Sequence, residues 1–595
     1  MHRNRRLSPG HVSPSRRAIV KGLAIGGAVA GLGLLRQPAW AQRPARQTPP
    51  VLSGTDFDLR IAETAVNITG QPRTALTING SLPGPLLRWR EGDTVTLRVA
   101  NGLEEDTSIH WHGIILPANM DGVPGLSFSG IHPRGTYPYR FTVRQNGTYW
   151  YHSHSGFQEQ QGVYGPLVIE AREAEPFQYD REHVVMLTDW TDEPAARVFA
   201  KLKKRSDYYN FRQRTAGTFL QDVRRSGLGA TLAERRAWGQ MRMSASDLAD
   251  VTGATYTYLM NGEPPAANWT GLFAPGEKVR LRFINGSGMS YFDVRIPGLT
   301  MTVVAADGLY VRPVPVDEFR IATAETLDVI VEPAGAEAFT IFAQAMDRTG
   351  YAAGTLALAA GLRAEVPGVD ARPVLTMADM GHGGMDAAGP GPDPHAGHAM
   401  PETPAPAPLP GAGHDMAAMS GAMVQHPASE RRNPLVDMQT MAPTAKLSDP
   451  GIGLRNNGRR VLTYADLASL FPDPDGREPA RTIELHLTGH MERFAWSFDG
   501  VKFSNAEPVR LTYGERVRIV LVNDTMMTHP IHLHGMWSDL EDEQVRKHTI
   551  DMPPGSRRTY RVTANALGRW AYHCHLLFHM EAGMFREVRV DEAQS

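Results

Sequence analysis

The chain has 595 residues, too many for one ordinary domain and enough for three or four of roughly 100–200 residues each. It is 42% hydrophobic and 21% charged, a globular composition, and its 61 basic and 63 acidic side chains leave a formal charge of −2, which excludes the strongly basic footprint of a nucleic-acid binder. One cysteine excludes an internal disulfide framework, a zinc ribbon and a cysteine-held iron–sulfur cluster, whereas 22 histidines and 25 methionines are an excess of donors for soft and borderline metals.

Residues 1–41 read as an export signal. Ser15-Arg16-Arg17-Ala18-Ile19-Val20-Lys21 precedes a short glycine-rich apolar stretch and then Ala39-Trp40-Ala41, a small-x-small cleavage site. The paired arginines resemble the twin-arginine type, so the mature chain is expected in the periplasm. No other segment approaches membrane-spanning length, so no stable membrane insertion is expected.

A module then recurs three times. Gly92-Asp93-Thr94-Val95-Thr96-Leu97 leads to Asn101, Gly276-Glu277-Lys278-Val279-Arg280-Leu281 to Asn285, and Gly514-Glu515-Arg516-Val517-Arg518-Ile519 to Asn523. Each is a turn glycine, an alternating strand and an asparagine nine residues on, preceded by Asn79-Gly80, Asn261-Gly262 or Asp499-Gly500. Short strands broken by Gly, Pro and Asn predict repeated antiparallel β-sandwiches in an all-β fold. The expected modules span 42–175, 176–364 and 444–595. The second carries a charged insertion near 200–248 with helical spacing, read as a solvated face. Trp89, Trp111, Trp150 and Trp570 read as core residues.

Residues 365–443 differ in composition, being rich in Pro, Gly and Ala without aromatics, and predict a mobile, disordered linker. It holds Met377, Met380, Met385, Met400, Met416, Met419, Met423, Met438 and Met441, with His382, His395, His398, His414 and His426. Thioether and imidazole together suit Cu(I), so the linker is expected to gather copper.

Four His-x-His pairs stand in the first and third modules: His110/His112, His152/His154, His532/His534 and His573/His575. On a strand, residues two apart share a face, so each pair aims two imidazoles at one point. His152 lies 60 residues after Gly92 and His573 lies 59 after Gly514, so equivalent strands can face each other and pool eight imidazoles. That number suits a cluster of three metal ions. Cys574, between His573 and His575, points to the opposite strand face, with His529, His579 and Met584 at hand. Two imidazoles, a thiolate and a weak thioether describe a blue-copper electron-transfer site. An electron reaching Cys574 then crosses one strand to His573 and His575.

These residues resemble the multicopper oxidase family, in particular its periplasmic copper-resistance (CopA) type, over nearly the whole mature chain. The resemblance rests on His110-Trp111-His112-Gly113, on Tyr149 to Gly156, on Gln158-Glu159-Gln160-Gln161-Gly162-Val163-Tyr164-Gly165, on His529 to His534 and on His573 to Met584. It implies three cupredoxin-like Greek-key β-sandwich domains and four copper ions. The type 1 copper would be held by His529, Cys574, His579 and Met584, and the type 2 copper by His110 and His532. The type 3 pair would be held by His112, His152, His154, His534, His573 and His575. The family also implies proton-carrying carboxylates. Asp121 matches one such position, although Asp121-Gly122 equally reads as a turn pair. A second acid is expected beside the last histidine, where Met580 stands instead and Glu581 lies one place further.

The leading functional expectation is oxidation of periplasmic Cu(I) to Cu(II) coupled to reduction of dioxygen to water. A laccase-like oxidase of phenols or other organic reductants is the second reading, and a copper-sequestering protein the third. A periplasmic partner that supplies copper is compatible with the first.

Overall fold

The computed structural model describes residues 49–382, 424–541 and 545–593. The expected leader falls outside them, as do Met385, Met400, Met416, Met419, Met423, His395, His398 and His414. Six sheets pair into three β-sandwiches. In the first, a sheet containing Leu86–Arg90, Tyr164–Glu170, Gly147–His152 and His110–His112 faces one built from Arg73–Ile78, Asp56–Val66, Thr94–Asn101 and Thr136–Thr142. The second spans strands from Arg181–Trp190 to Tyr351–Ala357, and the third from Arg481–His490 to Phe585–Asp591.

The repeated motif has a physical cause in each copy. Asn79-Gly80, Asn261-Gly262 and Asp499-Gly500 all place both residues at positive φ, the requirement of a type I′ hairpin turn. The strand-ending asparagine is a buried clamp. Asn101 Nδ2 donates to the carbonyls of Glu105 and Ile131, Asn285 Nδ2 to those of Ser290 and Ile321, and Asn523 Nδ2 to those of Met527 and Met552. Each asparagine oxygen also accepts the N–H two residues on, at Leu103, Ser287 and Thr525. One side chain thereby satisfies backbone groups that the turn would otherwise leave buried and unpaired.

The sandwiches are mixed rather than purely antiparallel. Asp56–Val66 runs parallel to Thr94–Asn101, Arg181–Trp190 to Val279–Asn285, and Arg481–His490 to Arg516–Asn523. Between the members of each pair the chain visits the opposite sheet, through Leu86–Arg90, Trp269–Leu272 and Val509–Thr512 respectively. A crossover returns a strand parallel to its partner where a hairpin cannot.

The insertion in the second module forms helices Ala195–Lys204, Ala216–Ser226 and Leu228–Gln240. The middle one buries no residue, as expected of a solvated face. The first does more. It buries Val198 and Leu202, sets Phe199 against Phe494 and Phe578, and lets Lys203 Nζ donate to the carbonyls of Arg493 and Phe494. It therefore packs on the third module. Among the described residues no helix is long and apolar enough to cross a membrane.

The flanks of the Met/His-rich linker also depart from expectation. Met380 and Met438 are buried in the core, and Met377 packs against it, while Met441 is exposed. The Thr440 hydroxyl donates to the Met380 carbonyl at 3.2 Å and the Ala442 N–H to that of Gly381 at 3.1 Å. Composition hid this because the surface that receives these methionines comes from distant strands. The four tryptophans singled out are all buried.

The first two modules are joined by a buried charge. Asp328 accepts from Thr148 Oγ1 at 2.8 Å and from Arg280 Nη2 at 2.6 Å, with Arg282 Nη1 at 3.3 Å. Asp328 and Arg280 are essentially inaccessible to solvent. Removing one partner of a buried pair strands the other, so Asp328→Asn should cost about 3–5 kcal/mol. A denaturation midpoint within error of the parent's would contradict this.

Candidate metal centre

The strand pairing brings the histidine pairs together. His110 is opposite His152 across the first module's sheet, and His532 opposite His573 across the third's. Facing one another, the two modules gather the imidazoles into three groups: His110/His112/His532, His112/His152/His575 and His154/His534/His573. His575 Nε2 lies 3.3 Å from His152 Nε2, and His573 Nε2 lies 3.3 Å from His154 Nε2 and 3.1 Å from His534 Nε2. Nitrogens bound at 2.0–2.1 Å to one tetrahedral ion lie about 3.3 Å apart, so this spacing is that of a ligand set.

Burial, and then the neighbouring imidazoles, push His112, His534 and His575 well below the ordinary imidazole range, and burial pushes His573 down to about 4. These rings are neutral at physiological pH and hold lone pairs for a metal. His110 Nε2, His532 Nε2 and His112 Nδ1 are buried without a hydrogen-bond partner, which is costly unless an ion completes them. Copper ions fit this chemistry, imidazole being a borderline donor.

The opposite ring nitrogens are held by the protein, which fixes each tautomer. His110 Nδ1 donates to the Asp121 carbonyl at 2.7 Å and His532 Nδ1 to the His548 carbonyl at 2.7 Å. His573 Nδ1 meets the Cys574 carbonyl at 2.9 Å. Two carboxylates join them: Asp121 Oδ2 at 2.8 Å from His534 Nδ1, and Glu159 Oε2 at 2.8 Å from His152 Nδ1. Burial, then the charge of Asp189, raises Glu159 well above the carboxylate range, which favours its protonated form. Glu159 Oε1 is buried without a hydrogen-bond partner, and Asp121 Oδ1 lies 3.4 Å from His110 Nδ1.

Glu581 is not among these groups. It ends the short helix Leu577–Glu581, is exposed, and makes no described contact with a cluster histidine. Glu159, which the sequence offered only inside the Gln158–Gln161 run, is the second carboxyl found against a cluster histidine.

On the other face of the strand Gly568–Cys574, the Cys574 thiol lies 3.5 Å from His529 Nδ1 and 3.8 Å from His579 Nδ1, with the two imidazole nitrogens 3.1 Å apart. All three are fully buried, and burial pushes the thiol well above its ordinary pKa. Met584 is buried beside them, its carbonyl accepting the Cys574 N–H at 3.1 Å. His529 Nε2 is held by Thr525 Oγ1 and His579 Nε2 by Asp250 Oδ2, both at 2.7 Å. A thiolate, two imidazoles and a thioether fit copper in the blue-site manner.

Sequence reasoning missed Asp250. It follows the helical insertion, is buried, and has its pKa raised to about 7 by desolvation. It lines a small, mostly apolar cavity of about 10 Å³ together with Asp347, Met289, Met346 and Met527. Nothing local in the sequence marks it, because its partner stands 329 residues away.

A thiolate-bearing centre joined through one tripeptide to a histidine cluster, on paired cupredoxin-like sandwiches, defines a copper-dependent oxidoreductase. Multicopper oxidase models match residues 60–174, 181–360 and 476–594, and the chain belongs to that family, whose acceptor is oxygen. Within it the chain is of the copper-resistance protein A type. It is 71% identical to Copper resistance protein A homolog of Pseudomonas syringae pv. tomato over 588 residues, covering 97% of this chain and 99% of that one. Copper resistance protein A of Escherichia coli is 68% identical over 605 residues, with the same shares covered. The crystal structure of Fet3p, a multicopper oxidase that functions in iron import, shares the fold at a TM-score of 0.61 and 19% identity, covering 91% of each chain.

Proposed function

We propose that the protein oxidises Cu(I) in the periplasm and reduces dioxygen to water, so that four Cu(I), one O2 and four protons give four Cu(II) and two waters. Four resident copper ions, held as the histidine groups and Cys574 suggest, would supply the one-electron steps and the site of oxygen reduction. Residues 1–41, with their paired arginines, support export by the twin-arginine route.

The observation that carries the choice of donor is the Asp250 cavity. Thioethers select Cu(I), and a carboxylate supplies the charge that a cation needs in a buried site. Asp250 also orients the His579 ring through Nε2, so a cation bound there adjoins the centre that accepts its electron. Inside the protein, His573 and His575 flank Cys574 in the chain, so the route from thiolate to cluster is covalent. Glu159 meets His152 and Asp121 bonds His534, contacts that support a proton-carrying role for both carboxyls.

The test is oxygen uptake by the copper-loaded protein with stabilised Cu(I) or with a neutral phenol, using Cys574→Ser as the blank. Asp250→Asn should raise KM for Cu(I) about 10-fold or more, the worth of one charged contact, and change phenol oxidation far less. Equal loss on both donors would reduce Asp250 to an orienting role and favour the laccase-like reading. Uptake no faster than the blank with either donor would favour copper sequestration.

A further inference from the structure

A second group of metal-ligating side chains lies apart from the copper centres. His426 and Glu430 come from the C-terminal flank of the Met/His-rich linker, His486 from the strand Arg481–His490, and Asp524 from the turn after Arg516–Asn523. Glu430, His486 and Asp524 are each at least 97% buried. His426 Nδ1 lies 3.1 Å from Glu430 Oε2 and 3.2 Å from Asp524 Oδ2, and His486 Nδ1 lies 2.7 Å from Asp524 Oδ2 and 3.7 Å from Glu430 Oε1.

We propose that His426, His486, Glu430 and Asp524 form a further metal site, for one borderline divalent ion of the Cu(II) or Zn(II) class. The surrounding protein holds each of the four side chains in place. His426 Nε2 donates to the Thr440 carbonyl at 3.0 Å and His486 Nε2 to Glu484 Oε1 at 3.3 Å. Glu430 Oε2 accepts from Gln439 Nε2 at 2.8 Å, and Asp524 Oδ1 from the Thr440 N–H at 2.7 Å. A metal-binding imidazole is held in just this way, by an acceptor on its other nitrogen. Both Nδ1 atoms, Asp524 Oδ2 and the Glu430 carboxylate converge on one point.

An independent observation asks for a ligand there. Glu430 Oε1 is buried and has no hydrogen-bond partner, and its distance from His486 Nδ1 is too long for a hydrogen bond. His382, on the linker's other flank, also has a buried Nδ1 without a partner and feels the charge of Asp524.

Two neutral imidazoles and two carboxylates sum to −2, which one divalent ion neutralises. The set has no sulfur, so it suits Cu(II) or Zn(II) and not the Cu(I) that thioethers prefer. The hydrogen bond to Asp524 pushes His426 up to about 9, and the same carboxylate raises His486 against its desolvation. In the ion-free chain the His426 ring therefore holds a proton, which an incoming ion displaces. Both flanks of the linker meet here, and Thr525, next to Asp524, holds His529 of the thiolate centre. This inference does not depend on which donor the enzyme oxidises.

The test uses the copper-replete full chain. Zn(II) is titrated against a chromophoric chelator, and metal is counted after desalting. The parent should keep about one Zn(II) more than His426→Gln or Glu430→Gln, whose affinity should fall at least about 100-fold, while all three keep the same blue absorption. With Cu(II) instead, an additional paramagnetic signal should appear in the parent and be missing from both variants. Equal Zn(II) retention by parent and variants would overturn the proposal and leave an ion-pair network. A measurement on the unaltered chain guards against misfolded variants. X-ray absorption at the zinc edge should show only nitrogen and oxygen neighbours, and sulfur in that shell would overturn the site by placing the ion among the linker methionines.

Discussion

Replacing Cys574 with serine should abolish the blue colour, remove about one equivalent of bound copper, and reduce donor oxidation to the uncatalysed rate. A serine hydroxyl is a hard, protonated donor and does not replace a thiolate. The histidine cluster is built from other atoms and should still load. The buried thiol, pushed far up in pKa, is protonated in the metal-free chain, so copper loading of the parent should release a proton that loading of the variant does not. Spectroscopy and metal counting decide the matter. Cys574 is the only cysteine of the 595 residues, so a variant that stayed blue would refute the blue-site assignment outright.

Glu159→Gln should slow steady-state oxygen consumption by about 100-fold or more, in the range expected for losing a positioned proton donor. Glutamine keeps the size of the side chain and an acceptor for His152 Nδ1, but carries no exchangeable acid. The donor half of the reaction should not notice. Under anaerobic conditions, substrate should bleach the blue band as fast in the variant as in the parent, while reoxidation by oxygen lags. Slowing of both halves would assign Glu159 a structural role, and slowing of neither would remove it from proton delivery. Asp121→Asn is a less clean probe, because the Asp121 carbonyl and carboxylate touch two different histidines.

What could be read from the sequence was what is local in it. Four His-x-His pairs, the cysteine between two of them and the thrice-repeated Gly-strand-Asn are short patterns whose meaning follows from strand geometry. The carboxylates were harder. Glu159 sits in Gln158-Glu159-Gln160, seven residues after His152, and an acid among glutamines beside a histidine pair was a usable signal. Asp250 had none, since Asp247 three residues earlier is equally acidic and buried, and only the packing of the second module on the third selects between them. The linker shows the same limit. Its composition lacks the aromatics of a core, yet Met380 and Met438 are core residues, because the cavity they fill is made elsewhere. Glu581 failed for the complementary reason, as adjacency in sequence at the end of a one-turn helix places a side chain on the outside.

The distribution of donor atoms between modules also sets an order of maturation. Every proposed copper donor around Cys574, from His529 to Met584, belongs to the third module, so that donor set is complete once this part of the chain has folded, with only the orienting Asp250 supplied by the second. The histidine cluster takes four imidazoles from residues 110–154 and four from residues 532–575, so neither half encloses an ion alone. Occupancy of the cluster is therefore a report on docking between the first and last thirds of the chain. A lesion far from any metal, at Thr148, Asp328 or the surfaces between modules, would be expected to appear first as an enzyme that is blue but idle.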